Sequence, residues 1–141
     1  MKRYTVGLIF NSTLTEVVLM DKTHPDWQKG KLNGIGGRIE DGESSVDCIV
    51  RETREETDLE TISSNWQLFA TIAEGDSEVD FFGLVHFGSK DDIKTVTDEK
   101  VSWYPVKAIP ENAIMNIHWL IPMAMEKLKG GIFDIAKIKY K

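Results

Sequence analysis

Residues 37–59 constrain this chain most, because they place three glutamates on one face of a predicted helix. Glu52, Glu55 and Glu56 stand at positions i, i+3 and i+4, which are neighbours on an α-helix. Like charges at this spacing cost about 0.2–0.5 kcal/mol per pair in an isolated helix. The crowding is explained if the carboxylates hold a divalent cation, and hard oxygen ligands favour Mg²⁺ or Mn²⁺. For these three residues alone, a solvated acidic helix is the alternative.

The spacing around these glutamates is more specific than the glutamates themselves. A glycine is followed by a glutamate after five intervening residues, and by Arg-Glu-x-x-Glu-Glu after seven more. The matching positions are Gly37, Glu43, Arg51, Glu52, Glu55 and Glu56. This pattern resembles the Nudix box. The resemblance implies a Nudix hydrolase, which uses a divalent metal ion and water to cleave nucleoside diphosphate-linked substrates.

Two positions depart from the family's usual pattern. Thr53 stands where the family usually has an aliphatic residue, but it keeps one methyl group for packing. Asp58 stands where the family usually has glycine, and aspartate is one of the few residues that tolerate the left-handed conformation at a helix end. Neither change removes a carboxylate from the box, so we expect the box to be functional.

The order of predicted elements indicates an α+β fold. Strands are predicted over residues 4–10, 16–20, 66–72, 78–87 and 101–106, with a final strand or tail over 132–140. One helix is predicted within the box and a second over residues 113–129, where Pro122 predicts a kink or a late start near Trp119. The resemblance implies an α/β/α sandwich, in which a mixed sheet lies between helices and the box forms a loop-helix-loop.

The box helix is expected to begin after Ser44 or Ser45, either of which can cap its N-terminus. Its apolar positions recur at helical spacing and should face the core, with the glutamates facing outward toward the glycine-rich run before the box. Those apolar positions are Val46, Ile49, Val50 and Thr53.

Length and charge restrict the remaining possibilities. The 141 residues are expected to form one domain, residues 1–141. The net charge of −6 argues against binding to a nucleic-acid polymer, which needs a basic surface. No 18-residue apolar span and no signal-peptide pattern is present, so we expect no membrane partner and a cytoplasmic location. The lone Cys48 excludes an intrachain disulfide and is expected to be buried.

The resemblance assigns roles to the box residues. The expected metal ligands are the carboxylates of Glu52, Glu55 and Glu56 together with the Gly37 carbonyl, with Mg²⁺ as the cofactor and Mn²⁺ as a substitute. Arg51 is expected to hold a box glutamate through a charge-assisted hydrogen bond.

The general base is left open among four carboxylates. Glu52 and Glu55 are the candidates within the box. Asp98 and Glu99 lie in a later acidic loop, where either could act as the base instead or bind a second metal ion.

The segment before the box resembles that of one subgroup. Residues 33–38, Asn-Gly-Ile-Gly-Gly-Arg, look like the Asn-Gly-Phe-Gly-Gly-Lys stretch of MutT-type enzymes, which clear oxidised purine nucleoside triphosphates. Asn33 and Asn116 are therefore predicted to read a purine edge, because an amide can donate and accept at once. Arg38 is a candidate for phosphate contact, with a plain surface cation as the alternative.

Aromatic and histidine residues give weaker signals. Trp27 and Trp119 are candidates for stacking on a base, and Trp27 is included among the predicted substrate-binding residues. For each tryptophan, partial burial in the core is the simpler alternative. His24, His86 and His118 have no metal-ligand spacing and are interpreted as surface or core residues.

The leading interpretation is a Mg²⁺-dependent (d)NTP pyrophosphohydrolase of the nucleotide-sanitising type, releasing a nucleoside monophosphate and pyrophosphate. An ADP-ribose, nucleotide-sugar or dinucleoside polyphosphate pyrophosphatase is the alternative within the family. A non-catalytic Nudix-fold ligand-binding module is the alternative of another class. The expected partner is a small nucleotide, and both a monomer and a homodimer remain open.

Overall fold

One mixed sheet of eight strands forms the centre of the computed structural model, which describes all of residues 1–141. The strands are β1 (Lys2–Asn11), β2 (Glu16–Asp21), β3 (Leu32–Asn33), β4 (Ile35–Arg38), β5 (Gln67–Glu74), β6 (Ser77–His86), β7 (Val101–Pro105) and β8 (Ala136–Lys139). Their order across the sheet is β3-β2-β1-β6-β5-β8, with β4 paired to β1 and β7 paired to β2. Parallel pairing joins β1 to β6 and β5 to β8, and the other pairs are antiparallel.

Strand β1 is shared by two partners along one edge. Its last residues pair with β2, where Phe10 lies opposite Val17. Its first half pairs with β4, from Tyr4 opposite Arg38 to Gly7 opposite Ile35. The glycine-rich strand is therefore held at the middle of the sheet, next to the longest pairing in the molecule, that of β1 with β6.

The two faces of the sheet bury separate apolar clusters under two helices. Side chains alternate between the faces of a strand, so Leu8 and Phe10 pack on the side of helix α2 (Ile117–Leu128). Ile9, between them, packs on the other side with Ile49 of helix α1 (Ser45–Thr57). This arrangement confirms the α+β class and the predicted sandwich of a mixed sheet between helices.

Helix α1 begins and ends as its sequence predicts. The Ser44 hydroxyl accepts a hydrogen bond from the Asp47 backbone N–H at 3.1 Å and caps the N-terminus. Asp58 ends the helix in the left-handed conformation, with φ of 65°. On the core side, Ile49 and Thr53 are fully buried. The helix is thus fixed in register, which sets where its glutamates lie.

The C-terminal part of the chain differs modestly from expectation. Helix α2 begins at Ile117, four residues after the predicted start at 113, with Pro122 inside it. The segment after it ends in the strand β8, which pairs in parallel with β5 at the edge of the sheet. No helix in the structure is both long and apolar enough to cross a membrane.

Candidate active site

The glycine-rich strand β4 fits closely between its neighbours. A Cβ atom on Gly36 would overlap the backbone carbonyl oxygen of Thr5 in β1. A Cβ atom on Gly37 would lie 2.5 Å from Glu52 Oε1 of α1. Only glycine at these two positions lets a backbone strand lie against β1 while a carboxylate lies against the strand.

Glu56 lies in the junction where β4 meets β1 and α1. Its side chain is only 9% exposed, and its Oε1 accepts a hydrogen bond from the Gly36 backbone N–H at 3.0 Å. The expected outward orientation of the box glutamates is therefore wrong for Glu56, although its orientation toward the glycine-rich segment is as predicted. Burial, reinforced by the negative charge of Glu52, raises the pKa of Glu56 to about 8. Burial also raises the pKa of Glu52.

A single guanidinium organises the remaining box carboxylates. Arg51 Nε donates to Glu43 Oε2 at 2.7 Å, and Nη1 donates to Glu52 Oε1 at 2.9 Å and to Glu55 Oε2 at 3.2 Å. Nη2 donates to the Arg38 carbonyl oxygen at 3.2 Å. These hydrogen bonds raise the pKa of Arg51 and lower that of Glu43 to about 2. The expected bond from Arg51 to a box glutamate is present, and it extends to three of them.

Glu99 forms a second buried carboxylate site on the loop before β7. It is 3% exposed and accepts hydrogen bonds from the Thr23 backbone N–H at 2.8 Å and from Lys22 Nζ at 3.1 Å. Burial opposes ionisation of Glu99, but these two donors outweigh it and lower its pKa. The neighbouring Asp98 is exposed and bonds only the Thr23 hydroxyl, at 3.2 Å.

A cavity of about 850 Å³ joins these carboxylates to the predicted base-reading residues. Its lining includes Gly37, Glu52, Glu56 and Glu99, and also Asn33, Asn116, Arg38 and Trp27. It also includes an apolar wall formed by Val6, Ile72, Val79 and Phe81. Of the other predicted site residues, Arg51, Glu55, Asp98 and Trp119 are outside the lining, and the Glu55 side chain is 48% exposed on Arg51.

Sequence reasoning missed two basic residues of the cavity. Lys22 has a side chain only 11% exposed and forms an ion pair with Glu99. His24 Nε2 lies 3.5 Å from Glu99 Oε1, so this histidine lines the site despite its lack of metal-ligand spacing. Lys22 directly follows β2, and His24 lies two residues further along. Basic residues just after a strand that pairs beside the glycine-rich segment were the available signal.

The amide and aromatic candidates occupy defined positions. Asn33 donates from Nδ2 to Gln28 Oε1 at 3.1 Å and accepts from the Gly34 backbone N–H at 2.8 Å. Asn116 donates from Nδ2 to the Tyr140 hydroxyl at 3.2 Å. Trp27 is 63% exposed, so the expectation of a partly buried core residue is wrong for it. An exposed ring on the cavity wall is accessible for stacking on a base.

The oxygen atoms around β4 are suited to a divalent cation. Glu56 is a buried carboxylate without an ion-pair partner, and Glu52 is a partly buried carboxylate that Arg51 bonds only through Oε1. The Gly37 backbone lies directly beside Glu52. No group of three or more His, Cys, Asp or Glu side chains is already gathered at a metal-binding geometry. The fit therefore rests on two carboxylates and a backbone carbonyl, which are hard ligands of the kind that Mg²⁺ accepts with retained waters.

The raised pKa of Glu56 predicts an unusual stability profile for the metal-free protein. A carboxyl group whose folded pKa of about 8 exceeds its ordinary value of 4.5 keeps its proton better when folded. The free energy of unfolding should therefore fall as pH rises from about 5 to 8, and Glu56→Gln should flatten this slope. Urea unfolding in EDTA at several pH values measures it. A wild-type stability that rises with pH over this range, or an equal slope in the variant, would contradict the assignment.

Comparison with known proteins places the geometry in a family. A family model described as the NUDIX domain matches residues 1–122. No curated protein sequence matches the chain. Similar solved structures include a NUDIX hydrolase from Nitrosomonas europaea, with a TM-score of 0.75 and 17% identity over 99% of this chain and 79% of that one.

Two further structures carry the MutT name. A MutT structure from a study of Aliivibrio salmonicida and Vibrio cholerae has a TM-score of 0.66 and 22% identity over 86% of this chain and 96% of that one. A mutator MutT protein from Bacillus halodurans has a TM-score of 0.69 and 19% identity over 100% and 91%. These likenesses show a shared fold. Since the family model spans most of the sequence and its box residues form the junction described above, the chain belongs to the Nudix family of hydrolases.

Proposed function

We propose that this protein is a Mg²⁺-dependent nucleoside triphosphate pyrophosphohydrolase, which releases a nucleoside monophosphate and pyrophosphate. The observation that carries the proposal is one cavity lined by the Glu52 and Glu56 carboxylates, of which Glu56 is buried with no ion-pair partner, together with two amides suited to a base. Nudix hydrolases act on small nucleotide substrates with the help of a divalent metal ion. The choice of a triphosphate rests on the resemblance of residues 33–38 to the MutT subgroup, and structural neighbours of that name support it.

Three groups around β4 would hold the ion. These are the Glu52 and Glu56 carboxylates and the Gly37 carbonyl, all of which border the cavity. When bound, a divalent cation neutralises phosphate oxygens and lowers the pKa of a bound water. Arg51 holds Glu52 from behind with a 2.9 Å hydrogen bond, which restricts the carboxylate to one orientation. Glu55, the other predicted carboxylate ligand, also accepts a hydrogen bond from Arg51 but lies outside the cavity lining.

The basic residues of the cavity would bind the polyphosphate. Arg38 is exposed directly after Gly37, where its guanidinium can donate two parallel hydrogen bonds to a phosphate. Lys22 is committed to Glu99 at 3.1 Å, so it contributes charge to the cavity while its position is fixed. These cations would attract an anionic substrate to the cavity, although the net charge of the protein is −6.

Glu52 is the general base that the geometry supports best. It lines the cavity, and Arg51 occupies only its Oε1, so Oε2 is left without a donor from the protein. Glu99 also lines the cavity, but two donors occupy its oxygens and its pKa is lowered. Asp98 and Glu55 are outside the lining.

The first test is a nucleotide panel with Mg²⁺ and with Mn²⁺, on the wild type and on Glu56→Gln. Wild type should release pyrophosphate from a purine triphosphate. Glu56→Gln removes one metal ligand and should reduce kcat by about 10³-fold. Its fold should persist, because the Gln side chain is uncharged like the protonated Glu56 and its oxygen can still accept the Gly36 N–H.

The matched control is Glu60→Gln, an exposed glutamate just beyond α1, which should match wild type. Near-normal turnover of Glu56→Gln in saturating Mg²⁺ would show that the metal site is elsewhere. Release of phosphate instead of pyrophosphate, or turnover of ADP-ribose, nucleotide sugars or dinucleoside polyphosphates alone, would replace the triphosphate assignment. No turnover of any substrate would favour a binding module.

A second prediction concerns the base. Asn33→Ala and Asn116→Ala should each lower kcat/KM for the preferred purine triphosphate by roughly ten- to a hundredfold, because a buried purine edge loses a partner. Pyrimidine triphosphates should change much less. Steady-state kinetics with guanine, oxidised guanine, adenine and cytosine triphosphates measure this, with the exposed Asn65→Ala as control. A common reduction factor for all four substrates would mean that the asparagines are structural.

A further inference from the structure

The last strand of the chain brings a tyrosine into the cavity. Strand β8 lies beyond residue 122, where the match to the family model ends, and it pairs in parallel with β5. The pairing continues past the strand, because the Tyr140 backbone N–H donates to the Ala73 carbonyl oxygen at 2.8 Å. Tyr140 packs on the α2 side of the sheet and is among the residues that line the cavity. The phenol is therefore fixed by the sheet and does not belong to a loose tail.

Asn116 is the partner of this tyrosine, and its position makes the contact informative. It precedes the first residue of α2, a position where asparagine usually caps the helix. Here its backbone is helical, with φ of −69° and ψ of −23°, and its side chain makes no capping hydrogen bond. Its Nδ2 donates to the Tyr140 hydroxyl at 3.2 Å instead. The amide is thus turned from the helix toward the cavity.

The hydrogen bond to Tyr140 determines which polar atom of the Asn116 amide remains free. One hydrogen of Nδ2 is used by the Tyr140 hydroxyl, while no group of the protein donates to Asn116 Oδ1. Both residues line the cavity, so this oxygen is available to a ligand as an acceptor.

We infer that Tyr140 is a positioning residue for base selection: its hydroxyl orients Asn116 so that Oδ1 accepts a hydrogen bond from an N–H group on the edge of a purine. The inference rests on the proposed function, because it assumes that Asn116 meets the base. Guanine carries such donors, a ring N–H and an exocyclic amino group. Unsubstituted purine has the same ring shape, but its six-membered ring presents only acceptor nitrogens.

The test compares binding of two monophosphates, GMP and the monophosphate of unsubstituted purine riboside, by titration calorimetry in Mg²⁺ buffer. Wild type should bind GMP about tenfold or more tightly than the unsubstituted analogue. Tyr140→Phe keeps the ring and its packing, removes the hydroxyl, and should reduce this ratio by roughly five- to tenfold. Tyr104→Phe is the matched control, since Tyr104 lies in β7, outside the cavity lining, and its ratio should equal that of wild type.

A double variant separates positioning from direct contact. If Tyr140 acts through Asn116, then adding Tyr140→Phe to Asn116→Ala should leave the GMP ratio of the single Asn116→Ala variant unchanged. Independent, multiplicative losses would overturn the inference, as would an unchanged ratio in Tyr140→Phe or a wild type with no preference for GMP. Monophosphate binding needs no turnover. A GMP preference with no triphosphate hydrolysis would refute the proposed function while leaving the role of Tyr140 to be decided by the ratios.

Discussion

The site depends on one guanidinium that holds like charges together. Glu43, Glu52 and Glu55 would repel one another on and beside α1, but Arg51 donates to all three at 2.7–3.2 Å. Its bond to the Arg38 carbonyl ties the same helix to the end of β4. Charge-assisted hydrogen bonds of this kind fix geometry as well as charge. The box is therefore a small ionic network in which the arginine sets the positions of the acidic side chains.

Glu56 lies beyond the reach of that network and has a different environment. It is held by the backbone N–H of Gly36, in a space that exists because Gly36 and Gly37 have no side chains against β1 and α1. A buried carboxyl group without a cation is costly when ionised, so its pKa rises to about 8. A divalent ion would relieve the same cost, which supports our proposal that the cofactor binds beside Glu56.

The sandwich fold followed from the family resemblance, because periodicity alone indicates only a mixed α/β class. Local rules and motif spacing were enough to predict an N-cap at Ser44 or Ser45, a left-handed helix end at Asp58 and the family. They were insufficient for the burial of Glu56, which requires knowing how closely β4 approaches the helix. The Lys22–Glu99 pair, 77 residues apart in sequence, and the contact of Asn116 with Tyr140 come from strand pairing that the sequence does not display. Periodicity does not indicate which residues that are far apart in sequence contact each other in the fold.

Under the proposed function, Glu56 should give up a proton when a divalent ion binds beside it. Metal ligands must be deprotonated, so at pH 7 an acid with a pKa of about 8 should release its proton on binding. Calorimetric titration of Mg²⁺ or Mn²⁺ in two buffers of different ionisation enthalpy counts these protons. We expect roughly one proton released per ion in wild type and markedly fewer in Glu56→Gln. Ion binding without proton release in wild type, or with equal release in the variant, would contradict this account of the site.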